Sequence, residues 1–296
     1  MHKSPAILFS LGGYAGNNFH DFTDIVIPLY LTSEHFNREV QFLITNNKPG
    51  WITKFKELIT KLSKYPVIEI DNEDGHIHCF KTVIVGLKRH HGHKELTIDA
   101  SSSLHSMKDF RNFLRTVYSL PRTTAIKIGD GDRRKKPRIL IITRKRTRSF
   151  TNPGEIVELA KQLDFEVVAA EASMNLARFA KIVNSCDVIV GVHGAGLANM
   201  VFLPENAILI QIIPVGGFEW LASFDFGQPS EGMNLRYLEY KIKEEESTLV
   251  QTEHRRVVPP RKWEKFKTVY LNKQNVTLDV NRFKPTLLKA LELLRQ

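Results

Sequence analysis

The segment Gly191-Val-His-Gly-Ala-Gly-Leu-Ala-Asn199 extends the apolar, β-branched run Asp187-Val-Ile-Val-Gly-Val192. The run is too short for a helix of its own and reads as a buried strand. The spacing predicts a strand, a glycine turn and a helix over Leu197 to Leu203. Glycines at 191, 194 and 196 let the backbone turn tightly and let a bulky anion come close. A helix start offers unpaired N–H groups at the positive end of its dipole. Gly194, Ala195, Gly196 and Leu197 are therefore candidates to hold a phosphate or diphosphate. His193 ends the strand beside them, where an imidazole could donate to a phosphate or a sugar hydroxyl. Arg144 and Arg148 follow a second strand end, and guanidinium forks match phosphate oxygens.

Transfer from a nucleotide sugar needs a stabilised leaving diphosphate, a base for the acceptor hydroxyl and exclusion of water. The N-terminal half offers Gly16-Asn-Asn-Phe-His-Asp-Phe-Thr-Asp24, after a strand and a glycine loop. His20 or Asp21 is the candidate base. A histidine has the better resting pKa, and an aspartate could serve or could orient the histidine. Gly16, Asn17, Asn18 and Asp24 lie on the same loop and helix start, the candidate acceptor side. Asp21 is also favourable simply as a negative charge near a helix N-terminus. Glu219 and Trp220, after a later strand, suit a sugar or ribose: a carboxylate accepts from hydroxyls and an indole covers an apolar sugar face.

Two further clusters are weaker. Asp130-Gly-Asp132 matches an Asp-x-Asp metal pair but sits in a charged linker. His90-His91-Gly-His93, with His76 and His78, lacks cysteine or carboxylate ligands at a closed-site spacing. No metal site and no cofactor is expected.

The elements that must position these residues alternate. Ala6–Phe9, Val40–Ile44, Val67–Ile70 and Thr82–Val85 read as strands. Ile52, Phe55, Ile59 and Leu62, then Met107, Phe110, Leu114 and Val117, sit at helical spacing, and Phe22 to Leu31 reads as helical despite Pro28. After a polar, charged stretch at 122–137 come strands at 138–142, 165–169, 187–192 and 207–213. Helices at 155–163 and one capped by Ser173 lie between them, and a last helix is expected over Pro285 to Leu294. Such alternation implies parallel, doubly wound sheets with ligands at the strands' carboxyl ends. The expected architecture is α/β with two Rossmann-like domains facing a central cleft: an acceptor-side domain at 1–122, a linker at 123–137, a nucleotide-sugar domain at 138–270 and a C-terminal segment at 271–296.

The 296 residues carry 42 Lys and Arg against 32 Asp and Glu, a net charge of +10. Arg133-Arg-Lys-Lys136, Arg138, Arg144-Lys-Arg146 and Arg148 lie within sixteen residues, so the alternative function is a non-catalytic module binding a polyanion or acidic glycan through the 133–148 cluster. Aromatics do not interleave with this run, which disfavours nucleic acid. The glycines at 191–196 lack the G-x-G-x-x-G order of a dinucleotide fold. No run approaches the length of a membrane span. Two cysteines, Cys79 and Cys186, exclude a disulfide scaffold, and Asn275-Val-Thr277 is an N-glycosylation sequon.

Gly12-Gly-Tyr-Ala-Gly-Asn-Asn-Phe-His-Asp-Phe-Thr-Asp24, Cys79-Phe-Lys-Thr-Val-Ile-Val-Gly86, Arg144-Lys-Arg-Thr-Arg-Ser-Phe-Thr-Asn152 and Val190-Gly-Val-His-Gly-Ala-Gly-Leu-Ala-Asn199 together resemble plant members of glycosyltransferase family 61. Phe226-Gly-Gln-Pro, Met233 to Tyr240 and Glu244 to Leu249 continue the resemblance over nearly the whole chain. It implies an inverting, metal-independent enzyme of GT-B type using a UDP-sugar, with xylose first and arabinofuranose next, and a xylan-type polysaccharide or glycan acceptor. Carried onto this chain, it places the 193–199 turn with Arg144 and Arg148 on the UDP diphosphate, and His20 and Asp21 near the acceptor and anomeric carbon; Asn152 and Glu219 are further donor-side candidates. It further implies a Golgi-luminal, type II membrane protein whose anchor and preceding segments, with a possible partner for Cys79, lie outside this chain.

Overall fold

The computed structural model describes residues 2–72, 75, 77–89, 95–129, 136–172, 175–253 and 263–296. Asp130, Asp132, Arg133 to Lys135, His76, the His90–His93 tract and the Ser173 cap lie outside the described residues. The protein is α/β with two parallel sheets, compatible with Rossmann-like glycosyltransferase folds. It divides into two compact units, Met1–Leu120 with Met174–Ala177, and Pro121–Ser173 with Arg178–Gln296.

In unit 1, β1 (Ala6–Ser10), β2 (Gln41–Thr45), β3 (Ile68–Glu69) and β4 (Val83–Val85) form a sheet of order β3-β2-β1-β4. Every pairing is parallel. The chain after β1 enters a helical segment that runs from Asn18 to Ser33. Its middle, Asp21–Val26, is a wide π turn, a form that recurs at functional sites. Pro28 sits at the start of the following α segment, where its missing N–H costs least. Phe22, Phe42, Phe55, Phe110 and Leu114 are buried. The helix Met107–Tyr118 is set by a capping box between Ser106 and Asp109.

In unit 2, β5 (Arg138–Thr143), β6 (Glu166–Glu171), β7 (Val188–Val192), β8 (Ile208–Ile213) and β9 (Arg236–Lys241) form a sheet of order β6-β5-β7-β8-β9. All pairs are parallel. β7 and β8 are buried along their whole length, as continuous apolar runs in doubly covered sheets require. Val188, Val190, Val192, Ile208, Ile210 and Ile212 share one core cluster with Ile156 and Leu159 of one helix and with Phe283, Leu287 and Leu294 of another.

Three local expectations change. β9 was not foreseen: Arg236, Glu239 and Lys241 break any apolar run, as befits an edge strand. The last helix begins at Val280, five residues before Pro285, because the Asp279 side chain accepts from the N–H groups of Asn281 and Arg282. The expected linker is partly docked: Thr124 bridges to Glu205, and Ile128 N–H donates to Leu294 O at 2.8 Å.

Candidate functional site

In unit 2, β5 and β7 are neighbours, and the connections from them leave on either side of the order reversal in β6-β5-β7-β8-β9. Doubly wound sheets bind ligands at such a switch point, outside the strands' carboxyl ends. The Arg144–Arg148 turn follows β5 and the His193–Gly194 turn follows β7.

The structure brings these two turns into contact. A Cβ placed on Gly194 would lie 2.6 Å from Arg148 Nη1 and 2.8 Å from Arg144 Nη1. Gly194 also has φ of 146°, a value side-chain-bearing residues rarely adopt. This glycine is thus required by close approach, and what approaches it is a pair of guanidiniums. Gly191 and Gly196 serve packing instead: Cβ atoms there would press on Leu197 and Ile142.

Arg148 Nη1 donates to His193 O at 2.9 Å, and Arg144 Nε donates to Thr147 O at 2.7 Å. Arg148 Nε is buried with no hydrogen-bond partner among the described residues. Burial, then the neighbouring Arg144 charge, pushes the Arg148 guanidinium down to about 9. Burial likewise lowers Arg144. Both remain cationic near neutrality. Two adjacent, half-buried cations, with no carboxylate bonded to either among the described residues, are unfavourable until an anion arrives.

The backbone holding Arg148 is itself unusual, with φ of 52°. Its N–H donates to Gln274 O at 2.7 Å. Gln274 is fully buried and its Nε2 donates to Val215 O at 3.0 Å, so one residue joins the Arg148 turn to the loop after β8.

His193 does not fill the expected role of a phosphate donor through its ring. The imidazole is buried between Phe218 and Phe226. Gln211 Nε2 donates to His193 Nδ1 at 2.7 Å, and Tyr237 Oη donates to Gln211 Oε1 at 2.8 Å. The ring proton is thereby placed on Nε2, 3.8 Å from Asp225 Oδ2. Burial, followed by the Arg148 and Arg144 charges, lowers the imidazole to about 3, so it is neutral. His193 reaches the site through its carbonyl. The turn continues as a 3-10 helix, Ala195–Phe202, rather than an α-helix from Leu197. Ala195 and Gly196 are part-exposed, whereas the Leu197 side chain is buried.

Asn152 is also displaced from its expected role. Its carboxamide clamps the main chain of Leu278, donating to the carbonyl and accepting from the N–H, both at 2.9 Å. Glu219 is exposed at the start of the short helix Glu219–Ala222.

In unit 1, the carboxylate that meets His20 is Asp24, not Asp21. His20 Nδ1 lies 2.8 Å from Asp24 Oδ2, and Arg89 Nη2 lies 3.1 Å from Asp24 Oδ1. A carboxylate acceptor places the proton on Nδ1 and leaves Nε2 with its lone pair free. Both side chains are about one-third exposed, and the Tyr14 ring stacks on the imidazole at 4.6 Å. Arg89 follows β4 while His20 and Asp24 follow β1, and β1 and β4 are neighbours.

Asp21 is fully buried. It accepts from Gly16 N–H at 2.7 Å, Trp51 Nε1 at 2.9 Å and Lys54 Nζ at 2.6 Å. Lys54 also donates to Asn18 Oδ1 at 3.0 Å, and the Asn17 side chain caps Phe19 N–H. Asp21 therefore anchors the loop that carries His20. Tyr14, Arg89, Lys54, Gln211, Tyr237 and Gln274 were not foreseen as parts of these sites; Tyr14 and Tyr237 alone lay inside motifs already singled out.

The Glycosyltransferase 61 family model matches residues 19–210. The chain is 49% identical over 307 residues to an α-1,3-arabinosyltransferase of Oryza sativa subsp. japonica, covering all of this chain and 52% of that protein. It is 45% identical over 304 residues to a β-1,2-xylosyltransferase of the same organism, covering 99% of this chain and 64% of the relative. To a xylan glycosyltransferase of Arabidopsis thaliana it is 36% identical over 313 residues, with 98% and 62% covered. The chain thus spans between half and two-thirds of the length of these relatives. With both motif-bearing turns falling inside the matched region, the chain belongs to glycosyltransferase family 61.

Proposed function

We propose that the protein transfers a pentose, xylose first and arabinofuranose next, from a UDP-sugar to a xylan-type acceptor with inversion at the anomeric carbon. The observation that carries the reading is the pair of adjacent, half-buried guanidiniums at Gly194, with no carboxylate bonded to either among the described residues, at the switch point of the unit 2 sheet. A diphosphate supplies the missing negative charge, and bidentate guanidinium contacts suit its oxygens. The similarity to an arabinosyltransferase, a xylosyltransferase and a xylan glycosyltransferase supports the pentose and the xylan.

In this reading His20 is the base. The acceptor hydroxyl attacks C1, its proton passes to Nε2, and the C1–O bond to UDP breaks with its electron pair going to the diphosphate. Asp24 holds the Nδ1 proton and stabilises the imidazolium that forms, while Asp21 positions the loop. Arg144 and Arg148 take up the charge on departing UDP, a task the reading assigns to them without a metal. Each unit would be one Rossmann-like half of a GT-B enzyme, and the site of action would be the Golgi lumen.

Calorimetric titration of the chain with UDP, UDP-xylose, UDP-arabinofuranose, UDP-N-acetylglucosamine and GDP, with and without manganese, tests the reading. The expected result is micromolar to millimolar binding selective for the UDP ligands and unchanged by manganese. Failure to bind any nucleotide, or weak binding that does not distinguish UDP from sulfate and collapses with salt, would return the polyanion-binding alternative.

A further inference from the structure

In unit 1, the carboxyl-end side of the sheet frames an open cavity of about 250 Å³, lined by Asn46, Asn47, Pro49, Glu69, Asp71 and Asn72. None of these residues belongs to the His20–Asp24 group or to the arginine pair. Their polar groups are already held in place. Asp71 accepts from Thr45 Oγ1 at 2.7 Å and from the Asn46 N–H through its other oxygen. Glu69 Oε2 accepts from Asn47 Nδ2 at 2.6 Å and from Asn72 Nδ2 at 3.2 Å. Asn46 Oδ1 accepts from Ser10 Oγ at 2.9 Å, and its backbone is fixed in the left-handed region at φ 53°. Among the described residues, Glu69 Oε1, the Asn47 and Asn72 side-chain carbonyls and the Asn46 amide N–H groups then remain for a ligand.

The chemistry of this lining selects its ligand. It contains two carboxylates, three carboxamides and no cation, so it repels phosphate and cannot serve the nucleotide. Fixed acceptors beside a fixed donor match vicinal hydroxyls, each of which both donates and accepts. The Pro49 ring adds an apolar facet for C–H groups. At about 30 Å³ of liquid volume per water, the cavity holds the equivalent of about eight waters, room for a single monosaccharide ring. It lies at the end of the sheet from which the His20 loop departs: Ser10 Oγ, which donates to Asn46, also accepts from the Gly12 N–H at 3.0 Å.

We infer that this cavity binds one neutral pentose residue of the glycan acceptor, with Glu69, Asn47 and Asn72 reading its hydroxyls. Calling that sugar an acceptor rests on the transferase reading above; the binding itself needs no transfer. The probe is xylohexaose, titrated into the chain while amide shifts are followed by ¹H–¹⁵N NMR, with UDP titrated in parallel. Wild-type shifts are expected at 46–48 and 69–72. Glu69→Ala and Asn72→Ala are each expected to weaken xylohexaose at least ten-fold and to leave UDP affinity unchanged. Asn72 is exposed, so its variant keeps the test sound if Glu69→Ala fails to fold. No shifts, shifts confined to other regions, unchanged affinity in both variants, or perturbation of these residues by manganese in place of the sugar would each overturn the inference. Xylohexaose binding here without any UDP binding would uphold this site and sink the donor reading instead.

Discussion

Arg148 reaches across the unit 2 switch point to donate to the main-chain carbonyl of His193 at 2.9 Å. One contact thereby ties the turn after β5 to the turn after β7, and it leaves the Arg148 Nε buried and without a partner among the described residues. Replacing Arg148 by Ala removes a charge-assisted donor set worth about 2–3 kcal/mol. UDP affinity should fall about 30- to 150-fold. Calorimetry reads the change directly, and an unchanged Kd would remove Arg148 from the donor site.

Gly194→Ala tests the same contact from the other side. The new methyl would meet both guanidiniums, and the backbone would be forced to hold φ near 146° with a side chain. The variant should lose UDP binding as fully as Arg148→Ala while Gly196→Ala, whose Cβ meets only Ile142 at 3.2 Å, loses less. Equal affinities for the two glycine variants would contradict this placement.

His20→Ala should lower kcat by about 10²- to 10⁴-fold, the usual range for a general base, with UDP affinity retained. Asp24→Asn should fall between wild type and His20→Ala, because the imidazole loses its orienting carboxylate but keeps its place beside Tyr14. Single-turnover transfer assays separate the two. Full activity in His20→Ala would move the base elsewhere.

Lys54 and Asp21 form a buried pair, 8% and 0% exposed. Lys54→Met strands the carboxylate with only the Gly16 and Trp51 donors, at a cost of about 3–5 kcal/mol in urea unfolding. The double variant Lys54→Met, Asp21→Asn should recover part of that loss. No recovery would mean that Lys54 acts through packing alone.

His193 sets an acid limit on stability. Its folded value of about 3 lies below the ordinary 6.5 because of burial and the two arginines. The unfolded chain then binds more protons between those values, so its contribution is complete above pH 6.5 and is lost as pH falls toward 3, by at most about 1.4 kcal/mol per pH unit. His193→Gln should flatten the fall in melting temperature across that window. A slope identical to wild type would assign the acid sensitivity to other groups.

Much of the scaffold was legible in the chain. Among the described residues, seven of the nine strands, β1, β2 and β4 to β8, lie on the apolar runs read from the sequence, and β7 and β8, buried along their whole length, are continuously apolar as doubly covered parallel strands must be. β3 shrank to two residues and β9 hid among its charges. The loops of the candidate sites were legible too, as glycine turns and arginines at strand ends. Their internal assignments were not. His20 and Asp21 are adjacent in sequence, yet one meets Asp24 at a part-exposed surface and the other is buried under Trp51 and Lys54. That outcome depends on a π turn and on a helix thirty residues away, neither of which has a periodic signature. His193 likewise looked like a free imidazole beside an anion turn. Only the buried Gln211 on β8 and Tyr237 on β9, brought alongside by parallel pairing, fix it as a neutral support whose carbonyl holds Arg148. Sequence determined which strand ends carry the candidate-site turns, because burial and turn formation are local in pattern. Tertiary structure decided which side chains face a ligand, because that depends on partners distant in the chain.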